Sequence, residues 1–167
     1  MPELRAEPAP GVVVRWDLDA VAALSGGAGP APAPVWTLEG DLAPAHSALR
    51  VLSAALEDGS ALLVAAARPA GAAGHDADEV AACIVGEGGE PEPLEEVLFS
   101  TEYAGDGSVR RAGVELYRAG EDYPLRAAGD AVSGAGGAGD STVLDFRVDG
   151  RSGRATLDLV RADQSDQ

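Results

Sequence analysis

Asp-Gly turns between apolar segments constrain the fold of this chain more than any other feature. The clearest is Glu57-Asp58-Gly59-Ser60, which separates the apolar segment 49–56 from the apolar segment 61–68. Glycine accepts the positive φ that a tight turn requires, so Asp-Gly between two apolar runs is a strong signal for a β-hairpin. We therefore predict two antiparallel strands that meet at this turn.

Two more turns of this kind predict two more hairpins. Their bounds are 94–103 and 109–118 around the turn 105–108, and 142–148 and 154–161 around the loop 149–153. The last pair alternates apolar and polar residues, which is typical of strands with one buried face. The predicted buried set is Leu144, Phe146, Val148, Ala155, Leu157 and Leu159, and the predicted water-facing set is Asp145, Arg147 and Asp158.

Other segments also favour strands. Alternation predicts strands over 12–18 and 123–128, and the segment 19–24 fits a single helical turn. The segment Ala61–Ala67 is apolar on both faces, which indicates either a central strand covered on both sides or a subunit interface. The segment 76–85 fits a helix or a strand, and the strand is the interpretation we favour.

These signals predict an all-β fold. We expect an antiparallel meander of about nine or ten strands that closes as a β-barrel or packs as a β-sandwich. A chain of 167 residues suits one domain. We assign residues 11–161 to a single β domain and expect disordered tails at 1–10 and 162–167.

The charge balance argues against two classes of partner. The chain has 12 basic residues, all of them arginine, and 28 acidic residues, for a net charge of −16. Nucleic acid and anionic membranes both require a positive field on the protein, so we expect neither as a partner. The absence of lysine indicates a bias in composition rather than a specialised acidic function.

Cysteine usage and hydropathy indicate the compartment. The single cysteine, Cys83, permits no internal disulfide and no cysteine-based zinc site. Its apolar surroundings predict an inert core thiol with a raised pKa. The chain shows no secretion signal at its start and no apolar run near the roughly 20 residues of a membrane helix, so we expect a cytoplasmic protein.

The densest group of potential metal ligands is His75, Asp76, Asp78 and Glu79. One histidine beside carboxylates can hold a hard metal ion or relay a proton. The group lacks the regular spacing of a calcium loop, and we favour an acidic loop that caps the next element. We therefore predict no metal and no cofactor, and keep these residues as weak candidates. The other histidine, His46, is expected at a turn or on the surface.

Four residues are candidates for ligand binding. Arg126 is the candidate anion anchor if it points into a cavity, and Tyr103, Tyr117 and Tyr123 are expected to line a barrel mouth. The alternative for the tyrosines is packing at the sheet rim. The alternative for arginines on strands is a cross-strand pair with a carboxylate. The arginines and acids in question are Arg15, Arg111, Arg118, Arg126, Arg147, Glu95, Glu96, Glu102 and Glu115.

Two stretches carry a resemblance to a known family. They are 99–117, with the sequence FSTEYAGDGSVRRAGVELY, and 123–130, with the sequence YPLRAAGD. Together they resemble the later β-meander of lipocalin-like β proteins of the AttH and hydroxyneurosporene-synthase-related type. The resemblance implies a β-barrel or β-sandwich in which an Asp-Gly turn precedes an arginine-bearing strand. It implies no functional residues.

No catalytic motif is present in the sequence, neither a G-x-S-x-G elbow nor a phosphate-binding glycine loop. We therefore expect a non-catalytic module that binds a small apolar ligand or a protein partner such as a second copy. The alternative is a small β-barrel enzyme of the isomerase or hydratase type that uses an interior carboxylate, Arg or His. A third possibility is a cation-binding domain at 75–79.

Overall fold

The computed structural model of the chain describes residues 3–26, 35–42, 44–72, 77–94, 96–105, 108–117, 123–132 and 141–161. Within these residues the chain forms twelve β-strands and one short helix. Nine strands form an antiparallel sheet that curls into a half-barrel, and three form a second sheet. The prediction of an all-β fold is confirmed.

The small sheet has the strand order β1-β2-β3. Its strands are β1 (Glu3–Ala9), β2 (Val12–Asp17) and β3 (Trp36–Glu39). The helix α1 (Leu18–Ala22) follows β2 and continues as a 3-10 turn over Ala23–Gly26. The Asp17 carboxylate caps α1, because its Oδ1 accepts hydrogen bonds from the backbone N–H groups of Asp19 and Ala20.

The large sheet has the strand order β7-β6-β5-β4-β12-β11-β10-β9-β8. Its strands are β4 (His46–Leu56), β5 (Ala61–Pro69), β6 (Glu79–Val85), β7 (Pro91–Pro93), β8 (Glu96–Tyr103), β9 (Val109–Tyr117), β10 (Leu125–Ala131), β11 (Ser141–Val148) and β12 (Arg151–Arg161). Only β4 and β12 are neighbours that do not follow one another in the chain. The sheet is therefore a sequential meander, as the hairpin signals predicted.

The curl of the large sheet follows from its connectivity. Strands β7 and β8 occupy opposite ends of the strand order, yet only residues 94 and 95 separate them in the chain. A connection this short spans only about 10 Å, so the two edges of the sheet must lie side by side. We call the gap between these edges, with β6 and β7 on one side and β8 on the other, the seam.

The strands β4 and β5 are buried on both faces. Their even-numbered residues, such as Leu52 and Val64, belong to the core on the concave face of the half-barrel. Their odd-numbered residues, such as Val51 and Ala65, pack with Val14 and its neighbours from the small sheet. The prediction of a central strand over Ala61–Ala67 is confirmed, and both of its apolar faces are covered within the chain.

The third hairpin has the predicted buried face. Leu144, Phe146, Val148, Ala155 and Leu157 are buried in the concave core, and Leu159 is partly buried against it. The turn is shorter than the predicted loop 149–153, because β12 begins at Arg151. Asp149 and Gly150 have φ angles of 50° and 86° and form a two-residue turn.

Asp158 does not face water as predicted. It lies half-buried on β12, and its Oδ2 accepts a hydrogen bond of 2.6 Å from Trp36 Nε1. A second bond between layers joins Trp16 Nε1 to Ser53 Oγ at 2.9 Å, and both residues are fully buried. The small sheet covers this part of the large sheet, so side chains that alternation alone would place in solvent lie between layers.

Three local expectations differ from the structure. The segment 1–10 is not a disordered tail, because β1 pairs with β2 across the turn at Gly11, where φ is 81°. Strand β3 was not predicted, since the Gly/Ala/Pro-rich segment before it resembles a linker. The short strand β7 was not predicted either. The segment 79–85 forms a strand as predicted, and the segment 162–167 lies outside the described residues.

Gly153 on β12 allows the close approach of β4. A Cβ at this position would overlap the backbone carbonyl oxygen of Ala55. We predict that Gly153→Ala lowers the free energy of unfolding by about 1–3 kcal/mol, because the strands must separate to admit the methyl group. Urea unfolding followed by tryptophan fluorescence measures the loss. Gly113→Ala is the matched control, since its Cβ would meet only the rotatable Ser100 Oγ at 3.2 Å; equal losses in both variants would contradict the prediction.

The first Asp-Gly turn contains a carboxylate with a lowered pKa. The Ser60 hydroxyl and backbone N–H both donate to Asp58 Oδ1, and they lower the pKa of Asp58 from 3.8 to about 2. The ionised form is therefore favoured by folding. Its contribution to stability is present above pH 3.8 and is lost as the pH falls through about 2.

We predict that Ser60→Ala moves the pKa of Asp58 back toward 3.8, because the side-chain hydrogen bond is its largest cause. An NMR titration of the Asp58 carboxyl carbon measures this directly. Ser100→Ala, on the distant strand β8, is expected to leave the pKa of Asp58 unchanged. An unchanged pKa in Ser60→Ala would show that the turn, not the hydroxyl, sets the value.

Candidate functional site

Arg50 is a charged residue in the interior of the half-barrel. It lies on β4, is 2% exposed, and points to the same side as Leu52 and Ala54 on the concave face. A buried arginine is costly unless its charge and its N–H groups find partners. The structure supplies most of those partners from strand β8 and from the residues before β6.

The guanidinium of Arg50 has three hydrogen-bond acceptors. Its Nη1 donates to Thr101 Oγ1 at 2.7 Å, and its Nη2 donates to Asp78 Oδ2 at 2.7 Å and to the Phe99 carbonyl oxygen at 3.3 Å. Its Cζ also lies 4.2 Å from the centre of the Phe99 ring, within the range of a cation–π interaction. Asp78 is as buried as Arg50, and its Oδ1 lies 3.4 Å from Arg68 Nε.

These contacts cross the seam where strand pairing is missing. Strand β7 pairs only with Cys83–Val85, and among the described residues no ladder joins β6 to β8. Asp78 immediately precedes β6, while Phe99 and Thr101 lie on β8. Arg50 therefore binds both edges of the sheet at the end where β6 begins and β8 finishes. We call this the Arg50 end.

The electrostatics of Arg50 reflect opposing effects. Burial lowers the pKa of the Arg50 guanidinium, while the hydrogen bond and charge of Asp78 raise it. An arginine side chain remains protonated in either case. The site therefore holds a permanent positive charge whose nearest counter-charge is shared with Arg68.

A small cavity opens beside this ion pair. Its volume is about 60 Å³, and we call it the seam cavity. Its lining is Ala48, Arg50, Ala66, Arg68, Asp78, Tyr103, Leu159, Val160 and Arg161. One water molecule requires roughly 10–15 Å³ of such space, so the cavity has room for several waters or a small organic ion.

Arg50, which lines the seam cavity, has one unsatisfied donor. Among the described residues, Arg50 Nε has no hydrogen-bond partner although it is fully buried. A buried donor without a partner costs about 1–3 kcal/mol, so such groups are rare in folded proteins unless a water or a ligand satisfies them. This donor is the strongest indication of a binding site in the described part of the chain.

A second polar pair lies near the Arg50 end. His46, expected at a turn or on the surface, is only 6% exposed, and its Nε2 lies 3.1 Å from Glu79 Oε1. Its Nδ1 is also buried and has no partner among the described residues. The expectation was wrong because His46 begins β4 rather than preceding it, so the sheet covers the ring.

Arg126 does not point into a cavity as an anion anchor would. Its side chain is 78% exposed, and its Nε lies 3.6 Å from Glu115 Oε2 on the neighbouring strand. The cross-strand alternative therefore describes Arg126 correctly. Two other arginines also form cross-strand ion pairs. Arg111 Nη1 lies 2.9 Å from Asp130 Oδ1, and Arg15 pairs with Glu39.

The three candidate tyrosines do not share one mouth. Tyr103 lines the seam cavity and is 40% exposed. Tyr117 finishes β9 at the opposite end of the sheet, and Tyr123, which is 83% exposed, precedes β10 at that same end. Only Tyr103 therefore joins the candidate site.

The weak metal candidates divide into two groups. His75 and Asp76 lie outside the described residues. Asp78 is engaged by Arg50 and Arg68, and Glu79 faces His46. In the described ranges no three His, Cys, Asp or Glu side chains are grouped as metal ligands.

The prediction that burial raises the pKa of the Cys83 thiol is confirmed.

Two larger hollows lie at the end opposite to Arg50. One of about 400 Å³ lies between α1 and the turns near Gly59 and Gly88. The other, of about 510 Å³, is lined by Tyr123, Arg126 and Arg147 among others. A third hollow, of about 530 Å³, is lined by Arg111, Gly129 and Phe146 among others. None of the residues whose buried side-chain atoms lack a partner in the described ranges lines any of the three hollows. The seam cavity is therefore the better candidate site.

Sequence reasoning did not single out Arg50. Its signal was a lone charge within the apolar run Leu49–Leu56, at a position whose alternation places it with Leu52 and Ala54. A charged residue on the buried face of a strand requires an interior partner. Asp78 was noticed, but as a metal candidate rather than as that partner.

Comparisons with known proteins give information on the fold of this chain and none on its function. No family model and no curated protein matches this chain. A crystal structure of a protein from Nitrosomonas europaea, provisionally assigned as AttH, is similar with a TM-score of 0.54 and 18% identity. The similarity covers 76% of this chain and 43% of that chain, so the chain spans less than half of that protein. It confirms a weak structural resemblance to an AttH-type protein, and the lipocalin-like assignment stays a prediction.

One finding concerns membranes. In the part of the chain that the structure describes, no helix is long and apolar enough to cross a bilayer.

We predict that Asp78→Asn destabilises the domain by about 3–5 kcal/mol, because it leaves the buried charge of Arg50 without its counter-charge. The double variant Arg50→Met with Asp78→Asn is expected to recover part of this loss, since the unpaired charge is removed. Glu115→Gln is the matched control on an exposed pair and should cost less than about 1 kcal/mol. Chemical unfolding of the wild type and these three variants gives the free energies of unfolding. If Asp78→Asn destabilises the domain no more than Glu115→Gln does, the ion pair does not join the two edges of the sheet.

Proposed function

We propose that this domain is a non-catalytic module that binds a small anionic ligand in the seam cavity. The observation that carries the proposal is the buried Arg50 Nε, a charged donor without a partner among the described residues. An acceptor group inside the cavity would satisfy it. Charge-assisted hydrogen bonds to arginine are among the strongest that proteins make.

The charge around the cavity supports an anion. Arg50, Arg68 and Arg161 line it, while Asp78 is the single carboxylate that the described residues contribute to the lining. The chain as a whole has 28 acidic residues against 12 basic ones. Among the described residues, the lining therefore has more arginines than carboxylates, and arginine side chains attract anions.

The geometry gives less support to a catalytic role. The enzyme alternative requires an interior carboxylate, Arg or His, and Asp78 with Arg50 meets that requirement. However, Asp78 accepts from Arg50 through Oδ2 and lies beside Arg68 through Oδ1. Each oxygen of this carboxylate therefore lies beside a guanidinium group, and neither is left open to a substrate.

The geometry also changes the expected ligand and partner. The concave face of the half-barrel is packed with buried side chains such as Phe146 and Leu116, which leaves the seam cavity as the favoured place for a ligand. The subunit interface, one of the two interpretations of the apolar segment Ala61–Ala67, has less support, because the small sheet covers the outer face of that segment. We further propose a cytoplasmic location, which the single cysteine supports.

An NMR titration tests the proposal. Sodium acetate and sodium phosphate are added to the full chain at constant ionic strength, and the arginine Nε–H resonances are followed. We expect the Arg50 Nε–H resonance to shift and saturate with at least one anion, because that N–H is the free donor. The Arg126 resonance should not saturate, since its side chain is exposed.

Two matched variants provide the control. Arg161→Gln removes a cavity arginine and is expected to weaken anion binding, while Arg126→Gln removes an exposed arginine and should leave it unchanged. A linear, unsaturated response of Arg50 to both anions would refute the proposal. Equal weakening by the two variants would also refute it, because the effect would then come from total charge.

A further inference from the structure

We infer that the ligand of the seam cavity is a short-chain carboxylate, of about two or three carbons, rather than a phosphate or sulfate. The inference rests on the proposed function, since it names the chemical class of the anion. Three properties of the cavity carry it: its volume, its aliphatic walls, and the position of Asp78.

The volume limits the ligand to a few atoms. A cavity of about 60 Å³, with roughly 10–15 Å³ needed for each water-sized atom, holds about four to six non-hydrogen atoms. Acetate and propionate are of this size. A longer acyl chain has no room unless it leaves the cavity toward the solvent.

The walls are half aliphatic. Ala48, Ala66, Leu159 and Val160 line the cavity together with the charged residues. Ala66 is 1% exposed, so it forms a closed apolar wall. An amphiphilic anion can place its charged end toward Arg50 and its methyl or ethyl group against these side chains. A phosphate has only polar oxygens and would desolvate them against the same walls without compensation.

Asp78 opposes a divalent anion. Its carboxylate lies within the lining and already shares the charges of Arg50 and Arg68. The Asp78 carboxylate would repel both negative charges of a dianion bound beside it. A monoanion carries one charge to repel, and it needs only one free donor and one positive charge. The free Arg50 Nε–H supplies that donor. Tyr103 also lines the cavity.

Calorimetry with a series of anions on the full chain tests the inference. The probes are formate, acetate, propionate, butyrate and hexanoate, with phosphate and sulfate for comparison, all at pH 7 and constant ionic strength. We expect affinity to rise by up to roughly tenfold for each added methyl or methylene group that fits, to peak at acetate or propionate, and to fall for hexanoate.

A cavity variant makes the test specific. Leu159→Ala shortens the aliphatic wall and enlarges the cavity, and it is expected to move the optimum to a longer carboxylate such as butyrate. Leu98→Ala, on the exposed side of β8, is the matched control and should leave the optimum unchanged. A purely structural effect of Leu159 would weaken all anions equally and would not move the optimum.

The outcomes separate the inference from the proposed function. Tighter binding of phosphate or sulfate than of every carboxylate would overturn the inference and leave an anion-binding module. An affinity that keeps rising to hexanoate, or an optimum that does not move in Leu159→Ala, would also overturn the inference. Absence of binding for every anion would overturn both.

Discussion

The buried ion pair between Arg50 and Asp78 joins two edges of a sheet that have no hydrogen-bonded ladder between them. A half-barrel needs some means of satisfying its edges, because unpaired strand edges invite association with other chains. Here β7 pairs with only three residues of β6, and the guanidinium of Arg50 contacts both sides of the seam near the other end of β6. One side chain thus contacts Phe99 and Thr101 on one edge and Asp78 on the other. The site and the closure of the sheet depend on the same interaction.

This dual use explains why the candidate site is small and cationic. Closing the seam requires a side chain long enough to reach across it and rich enough in donors to satisfy both edges, and arginine meets both needs. The Nη1 and Nη2 atoms of its guanidinium donate to the two edges, which leaves the Nε–H without a partner among the described residues. The neighbouring arginines and aliphatic side chains then give that remaining donor a chemical setting suited to an amphiphilic anion.

The sequence carried enough information for the hairpins but not for the layers. Asp58-Gly59 and Asp149-Gly150 fix tight turns by local backbone geometry, and the alternation from Leu144 to Val148 fixes a buried face. Such signals act over a few residues and can be read directly. The contacts of Trp36 with Asp158, and of Arg50 with Asp78, join residues far apart in the chain. No local pattern identifies the partner in such a contact. Asp158 was therefore assigned to solvent, and Arg50, whose place in an apolar run indicated burial, was passed over in favour of the exposed Arg126.

The short connection between β7 and β8 has a mechanical consequence. At that end of the half-barrel the two edges are tethered covalently, because residues 94 and 95 alone separate the strands. At the other end, no hydrogen-bonded ladder joins the two edges among the described residues, and the Arg50 side chain contacts both of them. Any widening of the seam must therefore pivot about the tethered end, with the largest displacement at Arg50. The peptide chain fixes one end of the seam, and a group that enters the sheet along the seam must therefore enter at the Arg50 end.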